Sequence, residues 1–347
     1  MIYYIIPYLI WLIFCTWKAL HAHKELKLLD YVFALPLILL VVLRGDVGVD
    51  TPGYIANAQG IIWWNGQRTI DVEFGYVLLV RLVAMFTSDP RLVVVVISLL
   101  AAILFFLMLY MWENGQCIVS LILIPFCFFY YTMNALRVGV AFPLAAIAIL
   151  QLEKKRFTQF YILALSSICI QMTAAILLPM LLLARLGAKV SRKGVLYGLI
   201  TGTPILFLGY YIFGDRIGYK FLMYSTDLSL ESNRSTGPLI ISFVCSIIAI
   251  WFCEKRHRYL GLIFLFIQIV FFGIAQLSIG GNRLQSMELF AQLLALSYYA
   301  KRPLNRGRLA VVILLCCLAF SYMARNFLQI AGDPSSFIPY HFVWESR

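Results

Sequence analysis

The residues in this chain able to do chemistry are arginines, carboxylates and tyrosines gathered into short runs. The first run is Arg44-Gly-Asp46-Val-Gly48-Val-Asp50-Thr51-Pro-Gly-Tyr54, the second is Glu73-Phe-Gly75-Tyr76, and the third is Asn134-Ala-Leu-Arg137-Val-Gly139-Val-Ala141. Gln171 with Thr173, Gly280-Gly281-Asn282-Arg283 and Phe337-Ile-Pro339-Tyr340 complete the set, together with a stretch near 214–237 that places Asp215, Arg216, Lys220, Asp227, Glu231 and Arg234 among aromatics able to stack on sugar rings. A guanidinium is a planar fork that binds phosphate or carboxylate through two parallel hydrogen bonds. A positioned carboxylate can orient a hydroxyl or take its proton. Together they make an oxyanion clamp beside an acid–base group.

Metal chemistry fits less well. The eight cysteines, Cys15, Cys117, Cys127, Cys169, Cys245, Cys253, Cys316 and Cys317, fall in apolar stretches without CxxC or Cys/His spacing, so neither disulfides nor zinc are expected. His21, His23 and His257 sit beside lysines and arginines, and His341 is near the end. Asp46 and Asp50 with their glycines open like a calcium loop, but the ligand spacing stops there.

The elements that must position these residues are membrane helices. Hydrophobic residues make up 62% of the 347 and charged ones only 13%, an apolar excess that no soluble core absorbs. Stretches such as Leu92–Trp112, Gly194–Phe213 and Tyr259–Leu277 carry no charge and reach the roughly 20 residues a span needs. The amino end, Met1–Trp17, lacks a basic lead-in and a small-residue cleavage site, and reads as the first span.

Basic clusters set the topology. Lys18/Lys24/Lys27, Lys154/Lys155/Arg156, Arg185/Lys189/Arg192/Lys193, Lys255/Arg256/Arg258 and Lys301/Arg302/Arg306/Arg308 are cytoplasmic by the positive-inside rule, which accounts for the net charge of +12 without nucleic acid. The fold class is therefore all-α, with about twelve spans near 2–17, 29–43, 92–112, 117–132, 136–152, 158–170, 173–184, 194–213, 238–253, 259–278, 285–300 and 309–324. Both termini then lie outside, and 73–90 forms an interfacial or re-entrant helix that does not cross. Lys220 is the only external lysine, whereas Arg44, Arg137, Arg234 and Arg283 all fall on that face. No linker or repeat divides the chain, so it reads as one membrane domain, 1–347, with external loops 44–91 and 214–237 roofing the site.

Several residues have a plain reading beside a functional one. Glu73 opens a helix, where the dipole favours a carboxylate, so simple capping competes with chemistry. Asn134 can cap the fifth span, whose first turn carries Arg137, the unfavourable end for a cation. Gly139 and Ala141 let a neighbour approach closely. Asn233-Arg234-Ser235 matches a three-residue glycosylation pattern, and Tyr340 fits an interfacial aromatic belt.

Taken in order, Arg44…Gly48-x-Asp50-Thr51-x-x-Tyr54, Glu73-x-Gly75-Tyr76, Asn134-x-x-Arg137 and Pro339-Tyr340 resemble the EpsG/Wzy-like family of bacterial polysaccharide polymerases over nearly the whole chain. The resemblance implies an enzyme of the bacterial cytoplasmic (inner) membrane that joins undecaprenyl-pyrophosphate-linked oligosaccharides on its external face, building O-antigen, capsule or exopolysaccharide. It implies Arg44, Asp50, Tyr54, Glu73, Arg137 and Arg283 as site residues. On that footing Asp50, Glu73 and Arg137 are the catalytic candidates. Arg44, Tyr54, Tyr76, Asn134, Gln171, Arg234, Arg283 and Tyr340 are the candidates for binding substrate. No cofactor or metal is required, because guanidinium groups can neutralise the leaving pyrophosphate. Expected partners are the lipid-linked glycan, membrane lipids and a chain-length regulator protein. One departure stands out: where such proteins often carry a histidine, this chain has Gln171, which hydrogen-bonds but does not titrate. The rival classes are a lipid-linked oligosaccharide flippase or other transporter, and a membrane ligase or acyltransferase. Clean long spans and charges gathered at one face favour the polymerase over midplane transport.

Overall fold

The computed structural model describes residues 1–21, 28–63, 72–113, 118–186, 236–252, 258–276, 279–299, 306–329 and 337–345, and the elements among them are helices, with no strand. The chain forms two compact units, Met1–Leu178 with Arg302–Arg347, and Pro179–Lys301.

The first unit is built from α1 (Ile2–His21), a 3-10 turn (Leu28–Ala34) running into α2 (Leu35–Val42), α3 (Thr51–Trp63), α4 (Phe74–Ala84), α5 (Pro90–Glu113), α6 (Ile118–Leu123), α7 (Leu136–Glu153), α8 (Phe157–Ile170) and the start of α9 (Ala174–Leu186). It closes with α13 (Arg306–Gln329). The second unit contains α10 (Gly237–Phe252), α11 (Arg258–Ala275) and α12 (Ile279–Tyr299). Among the described residues three helices are long and apolar enough to cross a membrane: α5 over Pro90–Trp112, with mean hydropathy 3.3, α7 and α11. Shorter apolar helices occupy most of the other stretches predicted to span, while 194–213 and the loop 214–237 with Arg234 lie largely or wholly outside the described residues. The elements among the described residues are all helices, and their apolar character is that of a membrane protein.

Local chemistry explains where the elements begin. Asp89 caps α5, its Oδ1 accepting the Arg91 N–H at 2.8 Å, with Pro90 supplying the fixed φ of a first helical residue. Between α7 and α8 the chain turns through Lys155 at φ 59°. The predicted non-crossing helix at 73–90 is α4, which ends at Ala84. Its line Phe74, Leu78 and Leu82 is exposed at helical spacing, as is Phe86 in the turn just beyond, while Tyr76 and Val80 are buried.

Three segments differ from the sequence reading. The stretch after Asp50, taken as loop, is the helix α3. Its segment of Gly53, Ala56, Asn57 and Gln59 is too polar to register as a span, yet Thr51, Tyr54 and Ala58 are buried on one face. The fourth apolar stretch is not a plain helix: after α6 it passes through two π turns, Ile124–Phe128 and Tyr130–Asn134, from Pro125 onward. Gly280-Gly281-Asn282-Arg283 is not a turn but the start of α12. A Cβ at Gly281 would lie 2.2 Å from the Ala275 nitrogen, so this glycine serves the close approach of α11's end rather than chain reversal.

Candidate active site

One end of the first unit collects the loop after α2, the amino ends of α3, α4, α5 and α7, the carboxyl end of α8 and the carboxyl-terminal segment. Gly48 sets the loop. Its φ of +105° suits glycine alone, and a Cβ there would sit 2.5 Å from the Met133 carbonyl oxygen. The backbone therefore lies directly on the π segment. The Thr51 hydroxyl reaches the carbonyls of Val47 at 2.8 Å and Met133 at 3.1 Å, its single proton serving one at a time.

Asn134 does not cap α7; Ala135 holds that position without a side-chain bond. The last π turn places Asn134 one residue too early to cap. Its Oδ1 instead accepts the Asp50 N–H at 2.8 Å, joining the two motif runs across 84 residues. The Asp50 side chain faces outward.

Arg44 is 3% exposed. Its guanidinium donates to the Thr132 carbonyl at 2.6 Å and to Ser98 Oγ at 3.1 Å, tying α2, α5 and the π segment together. Burial lowers this group to about 10, partly countered by the phenols of Tyr4, Tyr340 and Tyr54. The carboxyl-terminal segment covers the same place. It pairs with Arg44 through a β-bridge at Phe342, accepts the Gly45 N–H at the His341 carbonyl (2.8 Å) and donates the Val343 N–H to the Leu43 carbonyl (2.9 Å). Tyr340 is not a belt residue at the surface: it is buried, with its hydroxyl on the Leu40 carbonyl at 2.6 Å.

The charged centre is Arg137. In the first turn of α7, its guanidinium pairs with the carboxylate of Glu73, and the Tyr54 phenol lies close enough to interact with it electrostatically. Glu73 occupies the cap position of α4 but makes no cap bond, so pairing rather than capping is its use. Both partners stay partly open, with side chains 26% and 15% exposed. Burial raises the Tyr54 phenol above its ordinary value, opposed by the guanidinium. Tyr76 lies 5.8 Å from Tyr54 ring to ring and is fully buried, and its hydroxyl has no hydrogen-bond partner among the described residues.

Two glycines bring these elements together. A Cβ at Gly139 would fall 2.3 Å from the Tyr131 carbonyl oxygen and 3.2 Å from Ala101, seating α7 on the π segment and α5. A Cβ at Gly75 would fall 2.6 Å from the Cys169 carbonyl carbon, seating α4 on the end of α8, where Gln171 donates to Thr173 Oγ1 at 3.1 Å. A cleft at Arg44 is lined also by Asp46, Thr51, Ile55 and Arg91, with Arg91 and Asp46 paired at 3.2 Å.

The family model for EpsG matches residues 27–342. The chain belongs to the EpsG family. Nearly its whole length takes part in the match, including every motif run described above, and EpsG proteins are membrane proteins of the polysaccharide-polymerase type. No curated protein and no solved structure matches the chain.

Arg44, Asp50, Tyr54, Glu73, Tyr76, Asn134, Arg137, Gln171 and Tyr340 all lie in the first EpsG unit, whereas Arg283 is an exposed residue of α12 in the second. Sequence reasoning passed over Ser98, whose hydroxyl holds Arg44, because a lone hydroxyl residue inside an apolar stretch gives no signal, and over Thr132, which holds it through a backbone carbonyl that no residue type announces. It also passed over Glu288, fully buried in α12; a single carboxylate barely alters the hydropathy of its window.

Proposed function

We propose that this EpsG protein is a polysaccharide polymerase joining undecaprenyl-pyrophosphate-linked repeat units on the external face of the bacterial cytoplasmic membrane. The observation that carries the reading is the Arg137–Glu73 pair with Tyr54, an arginine and a carboxylate held together and partly open at one end of the helices. In the reaction the bond between the anomeric carbon and the donor pyrophosphate oxygen breaks. A new bond forms from that carbon to the acceptor hydroxyl oxygen, and the hydroxyl proton leaves.

Arg137 serves the leaving group, because a guanidinium offers two donors to pyrophosphate oxygens as charge develops on them. Glu73, released from or sharing Arg137 when the pyrophosphate binds, orients the acceptor hydroxyl and takes its proton. Tyr54 and Tyr76 supply phenolic donors beside the same anion. Arg44 is spent on Thr132 and Ser98 and acts by positioning the π segment that leads into Arg137. Asp50 faces outward at the start of α3, where it meets the sugar of the incoming acceptor. Membrane lipids and a chain-length regulator are the partners in this reading.

The test is the glycan pattern of cells lacking the gene and complemented with wild type, Arg137→Ala or Arg44→Ala. Collapse of the polymer ladder to single-repeat lipid-linked material in the deletion and in Arg137→Ala supports a polymerase. Lipid-linked units trapped on the cytoplasmic side, with no external glycan at all, would make the protein a flippase and end this proposal.

A further inference from the structure

The second unit contains a polar seam that the reaction does not use. Glu288 on α12 is 0% exposed, and neither carboxylate oxygen has a hydrogen-bond partner among the described residues. The Ser242 hydroxyl of α10 is the polar group beside it, and its oxygen likewise has no hydrogen-bond partner among the described residues. One turn along α12, Gln292 spends its amide nitrogen on Ser246 Oγ (2.8 Å) and the Ser242 carbonyl (3.2 Å), leaving its buried Oε1 unsatisfied. One turn the other way, Gln285 accepts the Gln268 amide of α11 at 3.3 Å, and Gln268 Oε1 is likewise buried and unpartnered. Residues 285, 288 and 292 share one helix face by their spacing.

Every orphaned atom in this seam is oxygen, while the amide nitrogens are already committed within the unit. Buried oxygens left this way in hydrocarbon cost several kcal/mol each by general expectation, so they call for an occupant. The occupant must be electron-poor. One carboxylate contributes one negative charge, which a monovalent cation neutralises and a divalent ion would leave overcompensated in an apolar setting. Carboxylate, amide and hydroxyl oxygens are hard donors suited to alkali ions and not to thiophilic metals. We propose that Glu288, Ser242 and Gln292, backed by Gln268, form a binding site for a single alkali cation inside the second unit, independent of the glycosyl-transfer site. The bound ion links α10 and α12 through the carboxylate, with Cys245 of α10 as the neighbouring titratable group.

The full-length protein in detergent is the material for the test. Its unfolding midpoint is followed at constant ionic strength as sodium or potassium replaces N-methylglucamine, and radioactive sodium binding is measured by equilibrium dialysis. Wild type is expected to gain several degrees along a saturating curve and to bind one ion per chain. Glu288→Gln should lose both, and Ser242→Ala should move half-saturation upward about tenfold. An alkali response equal in Glu288→Gln, or absent in wild type, overturns the site. So does stabilisation by lowering pH with no alkali response, because a proton alone would then satisfy the carboxylate. If Glu288→Gln does not fold, the wild-type titration and the Ser242→Ala shift still decide the matter.

Discussion

Glu73 and Arg137 lie 64 residues apart and meet as an ion pair where the amino ends of α4 and α7 converge. Each reverses a local expectation: the carboxylate leaves its helix cap unmade, and the cation stands at the end of a helix whose dipole opposes it. Tertiary pairing outweighs both, since two helix-end effects of about 0.3–1 kcal/mol each are small beside a partly desolvated charge pair.

The first expectation follows from that pair. Arg137→Ala should reduce polymer formation by about 100-fold or more, and Arg137→Lys should not restore it, because an ammonium cannot serve Glu73, Tyr54 and an incoming anion in one plane. Glu73→Gln should keep binding of the lipid-linked donor while slowing turnover. In unfolding experiments the double variant Glu73→Ala/Arg137→Ala should be less destabilised than the sum of the singles by about 1–3 kcal/mol. Strict additivity in that cycle would mean the two side chains do not act together.

Gly48→Ala should destabilise by about 2 kcal/mol or more. It meets both the strain of φ +105° and a contact of 2.5 Å with the Met133 carbonyl. The thermal midpoint of the purified protein measures it, and a variant as stable as wild type would show that the loop does not rest on the π segment.

Gly75→Ala and Gly53→Ala make a matched pair on neighbouring helices. The first pushes a methyl to 2.6 Å from the Cys169 backbone and should lower both stability and activity by parting α4 from α8; the second meets nothing within 4 Å and should be neutral or slightly stabilising, as expected for Gly→Ala inside a helix. Equal effects at both positions would refute the packing described for α4.

Tyr340→Phe removes the 2.6 Å bond to the Leu40 carbonyl, and Tyr4→Phe the 2.9 Å bond to the Phe337 carbonyl. Each should cost about 1 kcal/mol, leaving one buried carbonyl unserved. Because both bonds hold the same carboxyl-terminal segment over Arg44, protease cleavage within 337–345 should accelerate in each variant, most in the double. Unchanged cleavage rates would place that segment's hold elsewhere.

Arg44→Lys should prove costly although it keeps the charge. A lysine reaches only one of Thr132 O and Ser98 Oγ, and burial penalises an ammonium as it does the guanidinium. A loss of about 2–3 kcal/mol in unfolding free energy is expected, and an unaffected midpoint would show that the guanidinium is not the tie between α2, α5 and the π segment.

The sequence by itself determined the class of the protein and the places where its chemistry is concentrated. Apolar stretches and basic clusters are properties of local windows, so α5, α7 and α11, the start of α4 at Glu73 and the position of Arg137 in a first helical turn were all legible. Only the tertiary structure decided what those residues touch. That Glu73 pairs instead of capping, that Asn134 holds the Asp50 backbone, and that Arg44 turns inward under the carboxyl-terminal segment depend on contacts across 64, 84 and nearly 300 residues, which no window contains. The helix α3 escaped for the complementary reason: a polar, glycine-containing segment has weak local preference and becomes helical when Thr51, Tyr54 and Ala58 find a surface to bury against.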